Sequence, residues 1–137
     1  MEMSYVQKMQ HYLRMMIKDI LSSVEQHGLQ GDQHFYISFK SSFPGVVIPD
    51  SVREKHGPEI VIILKDDFRN LYVLENSFSV VLSFDEQETQ VTIPFGAISH
   101  LIDPSKNFSV TLDPELAQNE LKKSKTNIIE FNSFKRT

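Results

Sequence analysis

At His34 the hydrophobic period of the chain changes, and that change limits the folds available more than any other feature. Before it, Tyr5, Met9, Tyr12 with Leu13, Met16 with Ile17, Ile20 and Val24 recur at steps of three and four residues. Spacing of this kind places them on one face of a single long helix. Ser4 stands where an N-cap is needed and Gly28 where the helix must stop. Val6 and Leu21 broaden the stripe, which leaves two readings: the helix simply packs on the body, or part of its stripe meets a second subunit.

After His34 the segments are short and the period falls to two. Phe35–Phe39 reads as a strand, Pro44-Gly45 punctuates, and Val46-Val47-Ile48 ends at Pro49. Residues 50–57 suggest one or two helical turns capped by Asp50 and stopped by Gly57. Ile60-Val61-Ile62-Ile63-Leu64 is uniformly apolar and is expected to be a strand buried on both faces. Asp66-Asp67 turns the chain into a strand at Leu71–Leu74. Phe78, Val80, Leu82 and Phe84 then alternate with Ser79, Val81 and Ser83, giving one apolar face and one largely polar face. Asp85–Glu88 reads as a charged hairpin loop before the alternating Thr89–Ile93. Pro94 is expected to open a short helix through Phe95, Ile98, Leu101 and Ile102, and Phe108–Leu112 closes the body as a last strand.

One long helix followed by five or six closely spaced strands gives a mainly β fold with α. The arrangement that buries these faces is a strongly curved antiparallel sheet or small β-barrel behind an N-terminal helix. No internal repeat is visible, and no domain boundary precedes the tail.

The tail has a different composition. Gln118–Asn127 is polar and lysine-rich, and Ile128-Ile129-Glu130-Phe131-Asn132-Ser133-Phe134-Lys135-Arg136-Thr137 is apolar and basic. Two isoleucines and two phenylalanines cannot offset the entropy of ordering such a segment alone. It is therefore a terminal element packed on the body or a docking segment for another protein. The expected organisation is a body over 1–113, a flexible linker over 114–127 and a docking peptide over 128–137. From Pro114 onward five Lys and Arg face three Glu, a net of +2 within a chain of −4, so the body carries −6. An acidic body is a poor partner for nucleic acid, whose phosphates dominate affinity.

Other classes find little support in the residues. The chain has no cysteine, which removes disulfides, thiolate metal sites and thiol nucleophiles. Five histidines (11, 27, 34, 56 and 100) are scattered without a ligating pattern, so neither a metal nor a cofactor is expected. Asp66-Asp67 suits a solvated turn better than a catalytic pair. No P-loop, GxGxxG or GxSxG occurs, and no Ser-His-Asp set stands out, so an enzyme is not expected. No apolar run approaches the ~20 residues of a membrane span, and no secretory leader is recognisable. A cytoplasmic binding module remains, in which an extended peptide adds to an exposed strand edge. The face of Phe78–Phe84 is mostly core, and Val81 on the opposite side is the residue that core packing explains least.

Three ordered segments carry a family resemblance: Tyr12-Leu13-Arg14, Phe43-Pro44-Gly45-Val46-Val47-Ile48-Pro49, and Val91-Thr92-Ile93-Pro94-Phe95-Gly96-Ala97-Ile98. Together they resemble the stringent starvation protein B (SspB) family, specificity-enhancing adaptors of the ClpXP protease, and the likeness covers essentially the whole body. The terminal segment is similar to the ClpX-docking peptide of the alpha-proteobacterial branch. It departs from the better-known branch, which has a long acidic linker and a different terminal motif. The resemblance implies an Sm-like or SH3-like β-barrel with an N-terminal helix, usually a homodimer. It also implies a groove that binds the ssrA tag added by tmRNA to stalled chains. On this reading Val81, Leu82, Ser83 and Phe84 lie where the tag rests. Ile128, Ile129, Phe131 and Phe134 would anchor on the ClpX N-terminal domain, with Lys135 and Arg136 steering toward an acidic rim; the zinc of that domain belongs to the partner. A flexible spacer of roughly fifteen residues would reach about 20 Å. The alternative is an RNA-binding protein on an Sm-like fold, which would need a basic groove.

Overall fold

The computed structural model describes residues 4–122. Helix α1 (Tyr5–His27) begins where its caps dictate. The Ser4 hydroxyl accepts the Gln7 N–H at 3.1 Å while the Gln7 side chain accepts the Ser4 N–H at 2.9 Å, a reciprocal capping box. Gly28 ends it at φ 75°, a backbone setting that glycine adopts without steric cost. Ile17, Leu21 and Val24 are buried against the body, and α1 packs on the third strand and on the turn at Phe95–Ala97.

Among the described residues seven strands follow, in two antiparallel sheets. The first has the order β2-β1-β6-β7, with β1 at Phe35–Lys40, β2 at Glu59–Leu64, β6 at Ile98–Asp103 and β7 at Phe108–Thr111. The second has the order β3-β4-β5, with β3 at Arg69–Val73, β4 at Ser77–Phe84 and β5 at Gln87–Pro94. Their inner faces share one core in which Phe35, Ile37, Phe39, Phe78, Val80, Ile93 and Leu101 are essentially inaccessible. Burial of each such side chain contributes about 1.5–3 kcal/mol before entropy is set against it. Val47 makes a single bridge to Thr92. The mainly-β-with-α class expected from the pattern is the one observed, and the two sheets are not joined into a closed cylinder.

Four local expectations change. Residues 98–103 form strand β6, not the end of a helix, and only Phe95–Ala97 takes a 3-10 turn. The cause is a bulge. Phe39 faces Ile98 and Ser38 faces His100, so Ser99 is an extra residue, and Ile98 and Leu101 both point inward at a spacing of three. The segment therefore imitates a helical step. Strand β2 is not buried on both faces: Ile60, Ile62 and Leu64 point inward, while Val61 and Ile63 are 53% and 46% exposed. The hairpin loop contains only Asp85 and Glu86, both left-handed at φ 50° and 69°, because Gln87 and Glu88 already pair with Phe84 and Ser83. Helix α2 (Asp50–His56) has Pro49 at its N-cap without a side-chain cap bond, so Asp50 sits inside the first turn.

Residues 114–122 (α3), read from sequence as the start of a flexible linker, are helical and packed on the body. The Asp113 carboxylate accepts the Glu115 N–H at 3.0 Å as a local cap, and Pro114 suits the first helical position. Gln10, buried on α1, accepts the Asp113 N–H at 2.8 Å. Arg14 pairs with Glu120 at 2.7 Å, and Ala117 is buried beside Gly96. These contacts are tertiary, and the polar composition of the segment conceals them. The rest of the expected linker and all of 128–137, with Ile128, Ile129, Phe131, Phe134, Lys135 and Arg136, lie outside the described residues.

Candidate functional site

Where the two sheets part, an open cleft of about 390 Å³ runs between β2 and the C-terminal end of β4. Two features of the strand order create it. Strand β2 is an edge strand, with no neighbour beyond it among the described residues. Strand β3 starts opposite Val81, so the last three residues of β4 extend past their neighbour on that side. One wall is formed by Val61, Ile62 and Ile63, and the other by Leu82, Ser83 and Phe84. Lys65 and Asp67 close one end from the turn between β2 and β3, while His56 and Asp85 contribute from α2 and the β4–β5 turn.

The α2 end of the cleft is held by a clasp. Lys55 donates to Asp85 at 2.9 Å, and the His56 and Phe84 rings lie 6.2 Å apart at a tilt of 58°. The Lys55 hydrogen bond, aided by the positive charges of Lys55 and His56, holds the Asp85 carboxyl below its ordinary value against a smaller opposing effect of desolvation. The turn itself is fixed by the left-handed pair Asp85-Glu86, whose twist matches that of the strands it joins. Lining charges of both signs, Lys65 against Asp67 and Asp85, give the cleft no basic track.

Of the four strand residues named from sequence, Leu82, Ser83 and Phe84 line this cleft. Val81 pairs with Arg69 on one side and Gln90 on the other and is not part of the lining. Sequence reasoning missed Val61 and Ile63, because a run of five apolar residues does not reveal which strand will be left at an edge. It also missed His56, Lys65 and Asp67, whose signal is their position in the turns that flank strand ends. Among the described residues no three His, Asp or Glu come together in a metal-holding group, and no helix is long and apolar enough to cross a membrane.

A second surface lies on α1. Ile17, Leu21 and Val24 are spent on the core, whereas Tyr5, Met9 and Tyr12 one to three turns earlier are 88%, 55% and 67% exposed, with Val6 and Met15 beside them. Nearer its start α1 meets the body through Gln10, Leu13 and Arg14, so Tyr5, Met9 and Tyr12 lie on a different side of the helix.

A family model, Stringent starvation protein B, matches residues 7–132, nearly the whole chain. The chain belongs to that family. No curated protein matches it. Membership supports, in general terms, a role as an adaptor of the ClpXP protease.

Proposed function

We propose that this SspB-family chain binds ssrA-tagged polypeptides in the cleft between β2 and β4 and tethers them to ClpX through residues 128–137. The observation that carries the reading is the coincidence of three strand residues named from sequence, Leu82, Ser83 and Phe84, with a cleft whose facing wall exposes Val61 and Ile63. Apolar walls with main chain exposed at a strand edge suit an extended peptide better than a small polar metabolite. The mixed charge of the lining gives RNA no footing.

The tether follows from chain length. Five residues separate Lys122 from Ile128, and such a segment spans at most about 20 Å. Ile128, Ile129, Phe131 and Phe134 supply the apolar anchors, with Lys135 and Arg136 adding attraction to an acidic rim on ClpX. Holding the tag near the unfoldase raises its local concentration toward the mM range without any bond being made or broken. The exposed half of the α1 stripe, Tyr5, Met9 and Tyr12, is the surface on which a homodimer would form, giving two tethers per assembly in the cytoplasm.

The test is degradation of an ssrA-tagged fluorescent protein by ClpXP at substrate levels well below saturation. The full chain accelerates it, and deleting residues 128–137 abolishes the acceleration while tag binding, followed by fluorescence anisotropy, is kept. Undiminished delivery by the truncated chain would refute the tether.

A further inference from the structure

The ladders reveal which main-chain groups face the cleft. Ser41 N–H donates to the Pro58 carbonyl at 2.8 Å, one pair beyond the Lys40–Glu59 end of the β1–β2 ladder. Hydrogen-bonded and non-hydrogen-bonded pairs alternate along an antiparallel ladder. Phe39–Ile60, Ile37–Ile62 and Phe35–Leu64 are therefore the bonded pairs, and the N–H and C=O groups of Val61 and Ile63 point away from β1 to the open edge. On β4, Leu74 N–H donates to the Ser77 carbonyl at 2.8 Å, on the β3 side, while Phe95 N–H donates to the Asn76 carbonyl at 3.0 Å, on the β5 side. The alternation then directs Ser77, Ser79, Val81 and Ser83 toward β3. Because β3 begins opposite Val81, the N–H and C=O of Ser83 have no strand to meet among the described residues. Both walls of the cleft thus present unpaired main chain toward the same gap, and Val61, Ile63 and Ser83 are all lining residues.

We infer that the cleft takes its peptide as an added strand, paired to Val61 and Ile63 on one side and to Ser83 on the other, so that the bound segment joins the two sheets. This rests on the reading of the cleft as the tag site and adds the mode of recognition. The occupant is an extended polypeptide with free amides at successive positions. Its main chain supplies affinity, and alternate side chains face inward toward Ile62 and Leu82 or outward beside Val61 and Ile63. A strand held on both edges directs its amides alternately to each wall. Blocking an amide at either parity therefore costs binding, whereas a strand held on one edge would be sensitive at every second position only.

The experiment follows the amide resonances of the full chain by NMR hydrogen exchange, with and without a synthetic ssrA-tag peptide, and measures affinities for tag peptides N-methylated at single successive positions. The expected result is new protection at Val61, Ile63 and Ser83, little change at Ile62 and Leu82, and a loss of about tenfold or more for each methylation within the bound stretch. Ser83→Pro, which removes the edge-facing N–H and leaves the β5-side ladder bonds of Leu82 and Phe84 in place, gives a loss of the same order. Tight binding of the unmodified peptide with those three amides unchanged and methylation tolerated overturns the added-strand inference while leaving the tag site intact. Sensitivity at one parity alone, with Ser83 unprotected, overturns the bridging. Protection of Val61 and Ile63 that grows with protein concentration in the absence of peptide means that a second copy occupies the edge, and overturns the inference. No binding of the unmodified peptide overturns the functional reading itself and the occupant with it.

Discussion

Gly96 is a position at which one methyl group should be costly. It lies in the 3-10 turn Phe95–Ala97, under the loop that carries Phe43 and against α3. A Cβ built there would stand 2.7 Å from Cζ of Phe43, 3.3 Å from its Cε1 and 3.1 Å from Cβ of Ala117. Carbon atoms in contact prefer roughly 3.5–4.0 Å, so the closest approach is short by about 1 Å. Phe43 and Ala117 are 3% and 5% exposed and have little room to retreat. Overpacking of this kind costs about 1–3 kcal/mol. Gly96 is not among the glycines with positive φ, so alanine meets no backbone penalty and recovers about 0.4–1 kcal/mol by restricting the unfolded chain. The steric effect wins, and Gly96→Ala should destabilise by about 1–2 kcal/mol, lowering Tm by roughly 5 °C for a domain of this size. Thermal unfolding followed by circular dichroism reads this directly. Phe43→Leu removes the atoms that collide, so the double variant should show a favourable coupling of about 1 kcal/mol relative to the two single changes. A Gly96→Ala protein that melts at or above the parent temperature, or a cycle without coupling, would refute the packing argument.

Three further outcomes are expected. Replacing Val61 and Ile63 together by serine touches side chains exposed in the free protein, so Tm should change little, while tag-peptide affinity should fall about 30-fold through roughly 2 kcal/mol of lost apolar contact; anisotropy titration beside a melt checks both halves. Glu120→Gln leaves Arg14, whose side chain is only 12% exposed, without its counter-charge. It should cost about 1–2 kcal/mol, between the surface and fully buried cases, and Arg14→Met in the same background should recover part of the loss in a denaturant cycle. For Asp85 the folded pKa lies below the ordinary 3.8, so its pairing with Lys55 favours the fold at neutral pH and that support disappears as the pH falls through the folded value; a carboxyl ¹³C titration should give a midpoint under 3.8, and Lys55→Met should return it to the ordinary range.

Much of the fold can be read from the order of residues because the local signals agree with one another. Ser4 and Gly28 mark α1 at both ends, and the segment from Phe78 to Phe84 forms β4, with Ser79 buried beside Phe78 and Val80. The failures have a common origin in information that neighbours supply. At Ile98–Asp103 a single bulged residue turns a period of two into a step of three, and only the partner strand shows that Ser99 is the extra residue. At 114–122 a polar segment is helical because Gln10, Arg14 and Gly96 receive it from other parts of the chain.

The candidate site divides along the same line. Leu82, Ser83 and Phe84 were named through the family resemblance, since the alternation of their strand by itself indicates only core packing. Val61 and Ile63 were not, since Ile60–Leu64 has the composition of a central strand and its place at the edge is a property of the topology. Natural edge strands are usually shielded by charge, proline or a bulge. Here Lys65 and Glu59 bracket two bare aliphatic side chains, and the N–H and C=O groups of Val61 and Ile63 meet no strand among the described residues. Across the gap β4 extends beyond β3 by the residues that would be needed to meet an incoming strand. An edge left open on one sheet would be a liability that selection could cover in several ways. Two open edges facing each other over one cleft are the basis of the proposed recognition of main chain, which rests on backbone groups whose direction only the pairing register reveals.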